Sequence, residues 1–162
     1  MKKVTDDYIE KLESVDKKII IKDEGLKTTE DALLLSEFVK KKLDNTKLKG
    51  DIMEGSGVLL EIGSGQGIIS LLLSEIKTIE KIHAVEIQKK IFEYLTDNVR
   101  MNNLENKVTA INEDIKNIQG KYEYIVSNPP YRKIISGRLP EDESERISKY
   151  GVKKARELRL KL

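Results

Sequence analysis

The chain contains the segment Val58-Leu-Leu-Glu-Ile-Gly-Ser-Gly-Gln-Gly67, in which an apolar run passes into closely spaced glycines. Residues 58–62 predict a buried strand, and residues 68–76 predict the helix that follows the glycines. Glycines between a strand and a helix let the backbone approach a ligand closely. The segment therefore predicts the start of an α/β sheet and, at the end of its first strand, a binding loop.

Strands and helices continue to alternate along the rest of the chain. This order indicates a parallel, doubly wound α/β sheet, in which right-handed crossovers would place helices on both faces. The predicted elements are strands at residues 82–85, 107–112 and 122–126 and a helix at residues 88–102. Within the strand at residues 82–85, the single His83 is interpreted as a packed side chain rather than a catalytic one.

The region before the glycine loop predicts fewer elements. Residues 6–12 suggest a short helix with Tyr8, Ile9 and Leu12 on one face, and residues 18–22 suggest a strand. A second helix is expected after Thr28 or Thr29, either of which can cap it. Its expected apolar face consists of Leu34, Leu35, Phe38, Val39 and Leu43.

Composition excludes several classes of protein. The 162 residues carry a net charge of +2, which says little about partners, and they include one His and no Cys. Disulfides, a cysteine nucleophile and a His-rich or thiolate metal centre are therefore excluded. We find neither a signal peptide nor an apolar run long enough to span a bilayer. We expect a soluble, cytoplasmic protein that uses no metal, while the oligomeric state stays open.

Asn128-Pro-Pro-Tyr131 follows the last predicted strand. Two prolines have no N–H to donate, so the strand must stop at Asn128. An amide side chain then lies at the carboxyl end of a strand, where parallel sheets bind ligands, with an aromatic ring just beyond a stiff turn. The alternative is an ordinary loop that contains two prolines.

Acidic residues follow the other strand ends. Glu86 comes roughly 20 residues after the glycines, where an acid can bind ribose hydroxyls. Asp114, after the third strand of the sheet, suits either a ligand contact or a helix N-cap. The glycines are spaced Gly-x-Gly-x-Gly rather than in the dinucleotide pattern, which disfavours an NAD-linked oxidoreductase.

Taken together, these segments resemble class I methyltransferases that use S-adenosylmethionine, with a Rossmann-like sheet. In that family, enzymes with the Asn-Pro-Pro-Tyr motif in the active site methylate planar amines or amides. Glu61 suits the cationic cofactor, Glu86 the ribose, and Asp114 with the Ile115 N–H the adenine. The resemblance assigns to the cofactor Glu61, Gly63, Ser64, Gly65, Gln66, Gly67, Glu86, Ile87, Asp114, Ile115 and Asn128, and to catalysis Asn128, Pro129, Pro130 and Tyr131.

The resemblance also implies a mechanism. The Asn128 side-chain oxygen and the Pro129 carbonyl would hold the hydrogens of an exocyclic amine, while Tyr131 stacks on a base that has left its helical stack. Catalysis would then rest on positioning and electrostatics rather than on a strong general base.

Residues 25–35 favour one branch of the family. They resemble the lead-in of bacterial enzymes that methylate the adenine N6 of a valine tRNA beside the anticodon. That resemblance implies a tRNA substrate and no membrane partner. Methylation of an rRNA guanine or a protein glutamine, and a non-catalytic remnant that binds only cofactor or RNA, are the alternatives.

We expect three regions: an N-terminal extension with a helix that covers the cofactor at 1–57, an S-adenosylmethionine-binding core at 58–131, and a charged tail at 132–162 that is a truncated substrate half. Members of the resembled family continue with further strands after the Asn-Pro-Pro-Tyr motif. The C-terminal strands are missing from this prediction, so we expect a truncated enzyme with an incomplete substrate half and impaired activity.

Overall fold

The computed structural model describes residues 8–21, 30–48 and 57–128. The strands of this part are β1 (Tyr8–Leu12), β2 (Lys17–Ile21), β3 (Gly57–Ile62), β4 (Ile79–Val85), β5 (Val108–Ile111) and β6 (Tyr124–Ser127). The α-helices are α1 (Glu30–Leu48), α2 (Ile68–Leu73) and α3 (Lys89–Met101), and short 3-10 turns occupy Glu13–Val15 and Ile115–Asn117. None of the helices in these ranges is long and apolar enough to cross a membrane.

The central sheet has the order β5-β4-β3-β6 and is parallel throughout. The chain moves outward from β3 to β4 and β5, then returns to place β6 on the other side of β3. This reversal is the point at which open α/β sheets bind their ligands. The predicted α/β class with a Rossmann-like sheet is confirmed.

Each face of the sheet is covered differently. Leu59, Ile82 and Val108 point toward the helices and join one apolar cluster with residues of α1, α2 and α3. On the opposite face, Leu60 and Val85 pack with the segment around the second 3-10 turn. The crossovers from β3 to β4 and from β4 to β5 run in the same direction along the sheet, so right-handed connections place their helices on one face. The connection from β5 to β6 runs in the opposite direction and therefore lies on the other face.

The predicted helix at residues 6–12 is wrong where the structure describes it. Residues 8–12 form β1, which pairs antiparallel with β2 from Tyr8↔Ile21 to Leu12↔Lys17. Leu12 is buried, whereas Tyr8 and Ile9 are exposed. The helical spacing of three apolar residues is outweighed by backbone pairing with a strand that follows after a tight turn. The strand predicted at residues 18–22 is confirmed as β2.

The buried face of α1 also differs from the predicted one. Leu34 and Phe38 are exposed, while Ala32 and Ser36 are buried. The predicted Leu43 is buried, and the predicted Leu35 and Val39 pack partly buried against the core. The small side chains of Ala32 and Ser36 lie about one turn apart and let α1 pack closely on its neighbour. The Ser36 hydroxyl is satisfied within the helix, since it donates to the Ala32 carbonyl at 2.7 Å. The predicted caps Thr28 and Thr29 lie outside the described residues.

Candidate active site

The ends of β3 and β6 lie side by side. Ile62 pairs with Ser127, and the Ser127 hydroxyl donates to the Ile62 carbonyl at 3.0 Å. The next residues along the two strands are Gly63, which opens the glycine loop, and Asn128, which is half-buried. The topology therefore brings the glycine loop and the amide of Asn128 to one edge, as the sequence predicted.

The glycine loop is folded over the end of β4. The backbone N–H groups of Gly63 and Ser64 both donate to the Val85 carbonyl, at 2.9 and 3.0 Å. Gly65 has a φ of +56° and nothing within 4 Å of where a Cβ would stand. At Gly67, by contrast, a Cβ would come 2.6 Å from the Leu95 side chain. The loop is therefore packed against α3 at one end and open at its centre.

The Glu86 side chain binds the backbone of this loop. Its carboxylate accepts from the Gly65 N–H at 2.9 Å and from the Gln88 N–H at 2.8 Å. The side chain is buried, and its backbone carbonyl accepts from the Asn112 amide at 2.8 Å. The acid predicted to bind ribose thus lies beside the glycine loop, and it also fixes the conformation of that loop.

Glu61 lies in a different environment. It is 2% exposed and accepts a hydrogen bond from the Ser70 hydroxyl of α2. Burial raises the pKa of the Glu61 carboxyl to about 7, while the hydrogen bonds from Ser70 lower it and the nearby Glu86 charge raises it. The acid two residues before the first glycine is therefore in the core beneath the loop, where burial favours its protonated form.

Two polar side chains of the loop have unused hydrogen-bonding capacity. The Ser64 hydroxyl and both polar atoms of the Gln66 amide are buried and have no hydrogen-bond partner within the described ranges. Buried polar atoms are almost always paired in proteins. A polar ligand at this loop would supply the missing partners, so the residues present fit a cofactor such as S-adenosylmethionine, which carries an ammonium and a carboxylate.

The remaining predicted residues lie near the same edge. Asp114 caps the second 3-10 turn, with its carboxylate accepting from the Lys116 N–H at 2.9 Å. The Ile115 side chain is buried, whereas Ile87 just after β4 is 40% exposed. Pro129, Pro130 and Tyr131 lie outside the described residues.

His83 is placed away from this edge, in the middle of β4. Its Nδ1 lies 3.1 Å from the Tyr122 hydroxyl, and the two rings meet edge to face with centroids 5.5 Å apart. Burial lowers the pKa of His83, and the charge of Lys81 lowers it further. The histidine is a packed side chain in the structure, in agreement with its interpretation from sequence. Across the described residues, no cluster of His, Cys, Asp and Glu could hold a metal ion.

Sequence reasoning missed three polar residues that shape the site: Ser70, Asn98 and Asn112. Ser70 and Asn98 are fully buried on α2 and α3. A signal was present for both, because each is a polar residue within an otherwise apolar helical stripe. Asn112 directly follows β5 and gives no comparable signal, since polar residues are common after strands.

The strand order, the glycine loop at the reversal point and the acid at the end of β4 define a class I methyltransferase fold. The family model for the methyltransferase small domain matches residues 32–141. The chain belongs to this family of S-adenosylmethionine-dependent enzymes.

Relatives in the family differ in what they act on. A tRNA1(Val) (adenine(37)-N6)-methyltransferase of Tolumonas auensis is 28% identical over 101 residues, which are 60% of this chain and 41% of the relative. A ribosomal protein methyltransferase of Thermosipho melanesiensis is 37% identical over 87 residues, covering 54% and 33% of the two chains. The chain thus spans less than half the length of these curated relatives.

Solved structures share the fold at low sequence identity. A T. thermophilus 16S rRNA N2 methyltransferase, solved with AdoMet and guanosine, has a TM-score of 0.67 and 16% identity, covering 95% of this chain and 39% of that one. M. jannaschii TYW2, solved with AdoMet, has a TM-score of 0.55 and 16% identity, covering 77% and 52%. These likenesses support the fold alone.

Proposed function

We propose that the chain binds S-adenosylmethionine at the carboxyl ends of β3, β4 and β5 and methylates the exocyclic amine of an adenine in tRNA. One observation carries this proposal: Asn128 directly follows β6, beside the glycine loop that directly follows β3. A residue at that position can reach a substrate that meets the cofactor edge of the sheet.

The cofactor part of the proposal rests on the polar groups of that edge. The centre of the glycine loop is open at Gly65, and the unpaired atoms of Ser64 and Gln66 would bind the amino-acid end of the ligand. Glu86 keeps further acceptor positions on its carboxylate for ribose hydroxyls. Asp114 would accept a hydrogen bond from the adenine of the cofactor, and the exposed Ile87 would pack against the adenine ring. When bound, the cofactor supplies an electrophilic methyl group.

The acceptor part rests on the chemistry of an amide. The Asn128 side-chain oxygen can accept a hydrogen bond from an exocyclic amine and hold its nitrogen in one orientation. The Pro129 carbonyl would accept the second hydrogen, and Tyr131 would stack on the base. Orientation of this kind contributes to catalysis without a titrating general base.

Adenine in tRNA is the acceptor we favour. The sequence of residues 25–35 resembles the tRNA adenine enzymes, and several relatives carry the name tRNA1(Val) (adenine(37)-N6)-methyltransferase. The ribosomal protein methyltransferase of Thermosipho melanesiensis shows that relatives with a similar core act on protein. An RNA substrate and a protein substrate are therefore compared directly in the test.

The test is methyl transfer from labelled S-adenosylmethionine to unmodified valine tRNA, with ribosomal RNA and ribosomal protein as competing substrates. We expect label in the tRNA, at N6 of an adenine beside the anticodon. Asn128→Ala should lower the transfer rate by about 100-fold or more, the size typical for loss of a positioned polar group at a reacting centre. It should lower the affinity for the cofactor far less than it lowers the rate.

The matched control is Asn106→Ala, which changes an exposed residue of the turn before β5, at the opposite edge of the sheet. It should leave the rate unchanged. Label in rRNA or protein but not in tRNA would reject the substrate we propose, and an unchanged rate in Asn128→Ala would reject the site.

A further inference from the structure

Asn98 of α3 and Asn102, the residue that caps the carboxyl end of α3, bind the outer edge of β2 in the N-terminal hairpin formed by β1 and β2. The Asn102 side chain accepts from the Lys18 N–H at 2.8 Å and donates to the Lys18 carbonyl at 2.6 Å. The Asn98 side chain accepts from the Ile20 N–H at 2.6 Å and lies 3.4 Å from the Ile20 carbonyl. Each side-chain amide thus binds the backbone N–H and C=O groups of β2 that a neighbouring strand would otherwise bind.

The match between helix and strand is geometric. Residues i and i+4 of an α-helix are about 6 Å apart along the axis. Residues i and i+2 of a strand are about 6.6 Å apart and direct their backbone groups to the same edge. Asn98 and the C-cap residue Asn102 therefore face Ile20 and Lys18 of β2 at matching spacing.

The two asparagines differ in what else they bind. The Asn98 amide also donates to the Gln66 carbonyl of the glycine loop at 2.9 Å. The second hydrogen bond of the Asn102 amide goes to the Asn98 carbonyl of its own helix, at 2.7 Å. Asn98 is fully buried, whereas Asn102 is half-buried. Of these two asparagines, only Asn98 connects the N-terminal hairpin to the glycine loop.

We propose that Asn98 is a positioning residue for the glycine loop, through which the N-terminal hairpin contributes to cofactor binding. The consequence for affinity rests on the proposed function, whereas the effect on the loop does not. Without the Asn98 donor, the Gln66 carbonyl is left buried without that partner. The open centre of the loop at Gly65 then loses one of the contacts that hold its conformation.

The first test compares Asn98→Ala with Asn102→Ala in the ligand-free full chain. Amide hydrogen exchange is measured at Gly65 and Gly67, whose N–H groups donate to Glu86 and to the Ser64 carbonyl. Exchange at these two amides should be about five-fold faster in Asn98→Ala, the effect of one ordinary hydrogen bond. In Asn102→Ala it should stay within about two-fold of the unsubstituted protein. Equal effects in the two variants would overturn the proposal.

Affinity for S-adenosylmethionine, measured by calorimetric titration, separates positioning from general stability. Asn98→Ala should weaken binding about five- to ten-fold, and Asn102→Ala should not, even if both lower the melting temperature equally. If the unsubstituted protein fails to bind S-adenosylmethionine, the proposed function is wrong, and the exchange comparison still decides the role of Asn98.

A third measurement needs no substitution, in case Asn98→Ala does not fold. Native-state hydrogen exchange at increasing denaturant should show the Ile20 amide opening in one unit with the Gly67 amide. The Lys18 amide, bound by Asn102, should open separately and at lower denaturant. If Ile20 opens with Lys18 and independently of Gly67, the proposed link is absent.

Discussion

The neighbouring strands β3 and β4 each have a buried glutamate at the carboxyl end, Glu61 within β3 and Glu86 directly after β4, but the two acids differ in their hydrogen-bond donors. Glu86 receives hydrogen bonds from two backbone N–H groups. Glu61 receives its hydrogen bond from the Ser70 hydroxyl and lies in the core, where burial raises its pKa to about 7. Burial of the Glu61 carboxyl beneath the loop therefore favours its protonated form.

The difference assigns different tasks to the two acids. Glu86 holds the glycine loop and the start of α3 in place through the backbone N–H groups of Gly65 and Gln88. Glu61 is a group whose charge depends on pH and on what binds above it. A cationic ligand at the loop would stabilise the ionised form of Glu61, so ligand binding should release a proton from this carboxyl near neutral pH.

The largest effect is expected from Glu61→Gln, measured as the free energy of unfolding in urea at about pH 5 and about pH 8. The folded state holds the Glu61 proton more tightly than the unfolded chain, whose carboxyl titrates near 4.5. Stability from this group is therefore fully present below the unfolded pKa and is lost as pH rises to about 7. The loss in the unsubstituted protein should be on the order of 3 kcal/mol, and Glu61→Gln should remove it.

Glu80→Gln is the control for that comparison, because it replaces an exposed glutamate on β4. It should leave the pH dependence of stability as it is in the unsubstituted protein. Parallel pH profiles for Glu61→Gln and the unsubstituted protein would mean that burial does not raise the pKa of Glu61 in the folded state.

A smaller effect, on binding rather than on pH dependence, is expected from Glu86→Gln. The substitution replaces one acceptor with a donor that faces a backbone N–H, either of Gly65 or of Gln88. Loss of a charged hydrogen bond is worth about 1.5–3 kcal/mol, so affinity for S-adenosylmethionine should fall by about 10- to 100-fold in a calorimetric titration.

The exposed Glu93 of α3 provides the matched substitution, Glu93→Gln, which should bind the cofactor as the unsubstituted protein does. If Glu86→Gln retained full affinity, Glu86 would have a structural role only, and the assignment of the ribose to this residue would be wrong.

Chain order and elementary sheet topology were enough to predict the main frame of the site. A strand followed by glycines and a strand that ends at Asn128 meet at one edge in any parallel arrangement of neighbouring strands. Glu86 was placed by the same reasoning. These predictions succeeded because they depend on where strands end, which Gly and Pro mark directly in the sequence.

What failed depends on contacts between distant parts of the chain. Residues 8–12 have helical spacing, but they pair with β2, and the local pattern carries no information about that partner. The exposed Leu34 and Phe38 show the same limit, because close packing of α1 selects the small residues Ala32 and Ser36 instead. Side-chain amides that bind backbone across the fold, as Asn98 does, are recognised only once both elements are in place.

The most direct test of the account is a calorimetric titration of the full chain with S-adenosylmethionine at about pH 8, where most of the Glu61 carboxyl is ionised. We expect saturable binding at one site, with NADH giving no heat of binding under the same conditions. Absence of S-adenosylmethionine binding, or binding of NADH that excludes it, would contradict the central claim that the edge formed by β3, β4 and β5 is a methyltransferase cofactor site.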